Sequence, residues 1–338
     1  MGARGVNKNS EMPTHLTTPV VSTDAPRATQ PEAKQAPEVR LDGYLERDGH
    51  RLYWLESGAA DGPPLLILPA GPGAGHARWA RSVFSPRSRM LQIDPRGCGK
   101  SEPAGALNTN TTAHVVEDLE AFRKARDIDR WVIVGHLWGV ALGLAYAQAY
   151  PDRCAGLVAA SVYLGDKADR DWFFGGIACM LPAEWNELLC HLPEAERRNP
   201  LAALKTRIDD PDPKVHRPAA AALMKYDRAI VRFWPGTVPA DGDLTDGDIH
   251  FLRVFLHYLA HDFFLGDSLL QNMHCVRHIP ATIVQGRFDI ASGMGPAFRL
   301  AHAWPQAAFI NPPGGCAYAA EPMSSAVRDA AHDLLGIR

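Results

Sequence analysis

The sequence predicts an α/β fold: a mostly parallel sheet flanked by helices, with an inserted helical cap. Three observations carry this. Short apolar runs alternate with stretches of helical spacing, one run turns through a pair of glycines into a small-residue helix, and a long strandless stretch interrupts the alternation.

Residues 1–40 are rich in Pro, Thr, Ala and Gln, with neither an apolar leader core nor a periodic face, and read as a disordered tail. Met1-Gly2 begins like an acylation signal, but Val6 stands where that signal wants Ser or Thr. From Gly43 the chain reads as structured. Residues 51–55 suit an edge strand. The runs at 65–68, 90–93 and 131–134 suit buried parallel strands, which are apolar because both faces are covered. Between the last two, residues 112–125 carry Val115, Val116, Leu119 and Phe122 at helical spacing.

Residues 139–149 then read as an Ala/Leu-rich helix that Pro151 ends, followed by strands at 156–160, 282–284 and 308–310. The stretch 164–274 is dense in Trp, Phe and Leu with helical periodicity. It is expected to be a cap over the carboxyl edge of the sheet, where open α/β folds bind ligands. The expected organisation is a tail (1–40), the first part of the core (41–163), the cap (164–274) and the second part of the core (275–338).

With 338 residues, 46% of them hydrophobic and 22% charged, the chain can bury a large core. A net charge of −3 without a basic cluster argues against nucleic acid as a partner, and no apolar run is long enough to span a bilayer. Six scattered cysteines without C-x-x-C spacing argue for reduced thiols, and the expected location is the cytoplasm. His257 and His261 form a lone i, i+4 pair, so no metal site is expected. Two glycine-rich stretches, 71–75 and 97–101, only partly match nucleotide-binding loops, and no cofactor is expected.

The decisive segment is Trp131-Val-Ile-Val-Gly135-His136-Leu137-Trp138-Gly139-Val140. A strand, a sharp turn between glycines and a small-residue helix make the setting of a nucleophile elbow, in which the G-x-S-x-G serine is lifted to the top of the sheet. Here Leu137 occupies the serine position, and an isobutyl group cannot attack a carbonyl. Around it stand Pro69-Ala70-Gly71-Pro72-Gly73, Asp94-Pro95-Arg96-Gly97-Cys98-Gly99-Lys100-Ser101, Asp171-Trp172-Phe173 and Gln285-Gly286-Arg287-Phe288-Asp289. In this order and spacing the chain, from about residue 41 onward, resembles the proline iminopeptidases of the α/β-hydrolase fold.

The resemblance implies that Asp289 is the triad aspartate. It also aligns Gly314-Gly315-Cys316-Ala317-Tyr318 with the segment that carries the family's histidine, so Ala317 takes the place of the base. With Leu137 and Ala317 at two of three triad positions, a working Ser-His-Asp peptidase is not expected, because triad members act as a unit. The family holds the amino terminus of its substrate with cap glutamates. The resemblance puts Asp227 at one such place and Phe255 at another.

Candidate catalytic residues are Asp289, His136, Cys316 and Tyr318. His136 equally suits a residue packed behind the elbow, and Cys316 and Tyr318 equally suit packing. Candidate binding residues are Gly71, Leu137 and Trp138 at the elbow and its facing loop, Asp227 in the cap, and Trp172, Tyr226, Phe255 and Tyr258 as an aromatic lining. The Trp138 backbone N–H and one from the Ala70-Gly71 loop are expected to form an oxyanion hole, since main-chain donors survive side-chain change. The functional expectation is a cofactor-independent, non-hydrolytic enzyme on a small organic molecule: a cyclase, isomerase or lyase of secondary metabolism. The alternatives are a ligand-binding protein without turnover and a hydrolase or aminopeptidase with an unconventional nucleophile.

Overall fold

The computed structural model describes residues 38–233, 242–265, 268–315 and 321–337. Its centre is an eight-stranded sheet in the order β1-β2-β4-β3-β5-β6-β7-β8. The strands are β1 (Val39–Arg47), β2 (His50–Gly58), β3 (Pro64–Ile67), β4 (Arg89–Ile93), β5 (Trp131–Leu137), β6 (Cys154–Val162), β7 (Ala281–Val284) and β8 (Ala308–Ile310). β1–β2 and β2–β4 pair antiparallel; every other pairing is parallel.

The parallel strands lie where the apolar runs put them, and the helix over 112–125 is found at Thr112–Ala125. The edge is different. β2 is not the edge strand; β1 is, and it begins at Val39, inside the stretch assigned to the tail. Its residues are mostly exposed, so burial leaves no apolar alternation to read. What betrays the hairpin is Asp48-Gly49, both left-handed at φ 48° and 81°, the geometry a two-residue hairpin turn needs.

The Asp94–Ser101 loop is held by its own side chains. Asp94 accepts from the Lys100 N–H at 2.8 Å, and Gly99, at φ 53°, must be glycine because a Cβ there would lie 2.2 Å from that carboxylate. The Arg96 guanidinium is 0% exposed and forks onto Asp118 at 2.6 and 2.8 Å, with Asp48 at 2.6 Å and the Thr109 carbonyl at 3.0 Å. Asn110 carries this anchor to the cap. Its amide donates to the Arg96 carbonyl at 2.7 Å, and its side-chain oxygen accepts from the Tyr258 hydroxyl at 2.8 Å.

The cap elements run from the helix Lys167–Asp171 to the short turn Met273–Cys275. At the crossing from β6, Asp169 is 2% exposed and accepts from the N–H groups of Leu164 and Gly165 at 2.6 and 2.9 Å. Burial, reinforced by the neighbouring Asp166, pushes its carboxyl up to about 7. The folded chain thus binds a proton there that the unfolded chain has released, so this group's contribution to stability falls as pH rises from about 4 towards 7. Asp169→Asn keeps the acceptor oxygen without the charge. We expect the variant to unfold at higher denaturant than the parent at pH 8, with a smaller difference at pH 5; an equal difference at both pH values rejects the assignment.

No helix among the described residues is long and apolar enough to cross a membrane.

Candidate active site

The turn after β5 has the strain an elbow requires. Leu137 sits at φ 48°, ψ −121°, a conformation costly for a branched side chain, and the helix Trp138–Ala149 starts at the next residue. The glycines on either side are obligatory. A Cβ on Gly135 would stand 2.4 Å from the Gly139 carbonyl oxygen, and one on Gly139 would stand 2.7 Å from that of Pro69. The sequence therefore builds the turn in full and presents leucine on it.

The expected oxyanion hole is not formed. The Trp138 backbone N–H donates to the Ala70 carbonyl at 2.9 Å, so the donor that would face a developing oxyanion is already engaged. The Pro69-Ala70-Gly71 loop turns a carbonyl toward the elbow where a second N–H was expected. A tetrahedral intermediate needs free, preorganised donors at this point, and this arrangement supplies an acceptor.

Above the elbow lies a cavity of about 190 Å³ between the sheet edge and the cap. Gly71, Leu137, Trp138, Asp227 and Phe255, all singled out in the sequence, line it together. The other three expected aromatics do not. Tyr226 is buried behind the wall with its hydroxyl on the Phe173 carbonyl at 3.1 Å, and Tyr258 is held by Asn110 and packs edge-on against Trp138 at 5.4 Å. Trp172 points its indole N–H to the Ile290 carbonyl at 2.8 Å and borders depressions outside the cavity. In each case a polar ring atom found a partner in the core, and the ring followed it.

The wall contains rings that sequence reasoning left out: Tyr163, Phe173, Phe251 and Phe263. Phe251 was legible, one helical turn before Phe255 on the helix Asp246–Ala260, and the two rings stack at 5.7 Å. Phe263 was not. It reaches the cavity from a turn in which Asp262, Phe263 and Phe264 are all left-handed, at φ 48°, 53° and 56°. No local preference forecasts such a run for non-glycine residues.

Asp227 is the carboxylate in this lining. It is half-buried and lines the cavity, and burial pushes its carboxyl up to about 6, with Arg228 drawing it back. It accepts no hydrogen bond from any described residue. A cationic ligand would thus meet an ionised Asp227 above about pH 6 and a largely neutral one below, so affinity for an amine is expected to climb through pH 6 and then level off. Titration calorimetry across pH 5–8 checks this; affinity independent of pH there removes Asp227 from the ligand.

Asp289 is 4% exposed and accepts from the Ala291 N–H at 2.9 Å, the Ser292 hydroxyl at 3.3 Å and the Gln285 amide at 3.4 Å. Burial raises its carboxyl, and hydrogen bonding from Ser161, Ser292 and Ala291 acts the other way. It borders a depression with Arg287 and Phe288 rather than the cavity itself. His136 is 2% exposed on β5, one residue before the elbow, and does not line the cavity. Cys316, Ala317 and Tyr318 lie outside the described residues. No group of His, Cys, Asp and Glu side chains able to hold a metal occurs among the described residues.

Comparison with known proteins places the molecule. Residues 63–189 match the family described as alpha/beta hydrolase fold. A proline iminopeptidase of Arabidopsis thaliana is 39% identical over 266 residues, covering 77% of this chain and 70% of its own. One of Neisseria gonorrhoeae is 35% identical over 300 residues, covering 87% and 96%. The crystal structure of a hydrolase from Pseudomonas aeruginosa PA01 superposes with a TM-score of 0.59 at 20% identity, covering 87% of this chain and 98% of its own, a likeness of fold. These relatives bear a peptidase name across most of the chain. The expectation of a non-hydrolytic cyclase, isomerase or lyase is corrected accordingly to hydrolytic chemistry, and the secondary-metabolite assignment goes with it.

Proposed function

Because the chain belongs to the proline iminopeptidase family of the α/β-hydrolase fold, we propose that it is a hydrolase of the aminopeptidase type acting on a small amine-bearing substrate, with attack from a group other than residue 137. The observation that carries this is Asp227, a carboxylate that accepts no hydrogen bond from any described residue, in a largely apolar cavity that opens on the elbow. Such a group costs free energy to bury and recovers it when a cationic amine pairs with it. The scissile carbonyl of an amine held there falls near Leu137 and the Ala70-Gly71 loop, which border the same space.

Leucine at the elbow removes the acyl-enzyme route through that residue, which leaves an activated water or a side chain elsewhere, such as Cys316, as nucleophile. Productive turnover then requires the Ala70 carbonyl to release the Trp138 N–H, so the loop has to move when substrate binds.

The test is a panel of aminoacyl amides and esters in ¹⁸O-labelled water, with and without prior thiol alkylation. Release of free amine or alcohol above a heat-denatured control supports the reading, and loss on alkylation assigns attack to a cysteine. Tight binding of the panel without product sinks it in favour of a binding protein. We further expect Leu137→Ser to change any turnover by less than about tenfold, since Ala317 stands where the resemblance places the histidine that would activate the new hydroxyl; a gain of 10³ or more with covalent labelling at 137 would show that the elbow alone was limiting.

A further inference from the structure

The cavity wall indicates which amine it takes. Of the described side chains lining it, Asp227 and the Tyr163 hydroxyl carry an atom able to accept a hydrogen bond; the other described ones are Ala, Pro, Leu, Ile, Val, Phe and the donor-only Trp138. A primary ammonium brings three N–H donors, and each one left without an acceptor in such a space loses its hydration for nothing. A tertiary ammonium brings one N–H, which one carboxylate satisfies, and a quaternary ammonium brings none.

The rings suit the alkyl groups of such a cation. Phe251 and Phe255 stack with 8° between their planes, and Phe173 stands at 73° to Phe255 with centroids 5.3 Å apart, so the three form a corner. The electron-rich faces of aromatic rings attract a cation whose charge is spread over N-methyl groups, and they do so best where water is excluded. A carboxylate that accepts no hydrogen bond from any described residue shares the lining with this corner.

We propose that the cavity selects an N-alkylated ammonium group, tertiary or quaternary, over a primary amine, held by Asp227 and by the rings of Phe173, Phe251 and Phe255. The proposal rests on Asp227 as the amine-facing carboxylate of the reading above and narrows the substrate class beyond it. A free primary amino terminus is then a poor ligand, and an N,N-dialkylated or N,N,N-trialkylated one a good one.

Calorimetric titration of the full chain at pH 7.5 decides it, using benzylamine, N,N-dimethylbenzylamine, benzyltrimethylammonium and neopentylbenzene, the neutral carbon analogue of the last. The two methylated cations are expected to bind at least tenfold more tightly than benzylamine and at least tenfold more tightly than neopentylbenzene. Asp227→Asn should weaken both cations about tenfold and leave the neutral compound unchanged. Phe255→Leu should erase the preference for methylated over primary amine. Benzylamine binding as tightly as its dimethyl derivative overturns the selectivity while sparing Asp227 as an amine site. Equal binding of neopentylbenzene and benzyltrimethylammonium, or no binding by any cation, overturns both. Because binding is read without turnover, an absence of hydrolysis sinks the hydrolytic reading and leaves this one standing.

Discussion

Asp227→Asn is expected to lower kcat/KM for an amine-bearing substrate by about 10- to 100-fold, the worth of a hydrogen bond to a charged partner in a water-poor site. The substitution keeps shape and volume and removes only the charge, so the fold should persist. The loss should fall chiefly on KM, because the carboxylate holds a part of the substrate that does not react, and interactions of that kind are made equally in the ground and transition states. The variant should also lose the rise in affinity through pH 6, since the group that titrates there is gone. Steady-state kinetics on the best substrate of the panel, at pH 5.5 and 7.5, measure both effects. A fall in kcat at unchanged KM would instead make Asp227 a participant in the chemical step.

Arg96→Ala is expected to destabilise the fold by about 3–5 kcal/mol, because it leaves the buried Asp118 carboxylate without its forked partner. Among the described residues, Asp118 then retains only the ion pair with Arg47, at 3.3 Å. The damage should spread to the cap, since the Arg96 backbone carbonyl and the Tyr258 hydroxyl both depend on Asn110, which the same loop positions. Arg96→Met with Asp118→Leu should cost less than Arg96→Met alone, as removing both charges also removes the stranded one. Equilibrium unfolding in urea checks both. A double variant as unstable as the single one would mean that Arg96 matters through its contacts with Thr109 and Asp48 instead.

Much of the core could be read from the chain because it rests on local signals. Apolar runs of four to seven residues between turn formers admit few structures other than buried parallel strands, and β3, β4, β5 and β7 lie on them. The elbow was equally legible, since the close backbone approaches at Gly135 and Gly139 admit no residue with a Cβ. The β1 strand was missed because, although Leu45 packs against the core, its other large apolar residues Val39, Leu41 and Tyr44 are exposed and leave no apolar alternation. Tyr226, Tyr258 and Trp172 were assigned to the cavity by residue type, yet each is fixed by a hydrogen bond to a distant backbone or side-chain oxygen that no spacing reveals.

The sequence by itself determined the α/β-hydrolase fold, the family, and the identity of the side chain on the elbow, because each depends on residues close together in the chain. Only the tertiary structure decided that the Ala70 carbonyl occupies the Trp138 N–H, that Asp227 faces an apolar space, and that Phe263 completes its wall. Those outcomes depend on which groups from the sheet edge and the cap meet across the cavity. Hydrogen bonds and burial settle that among residues up to about two hundred positions apart, beyond the reach of any pattern in the chain.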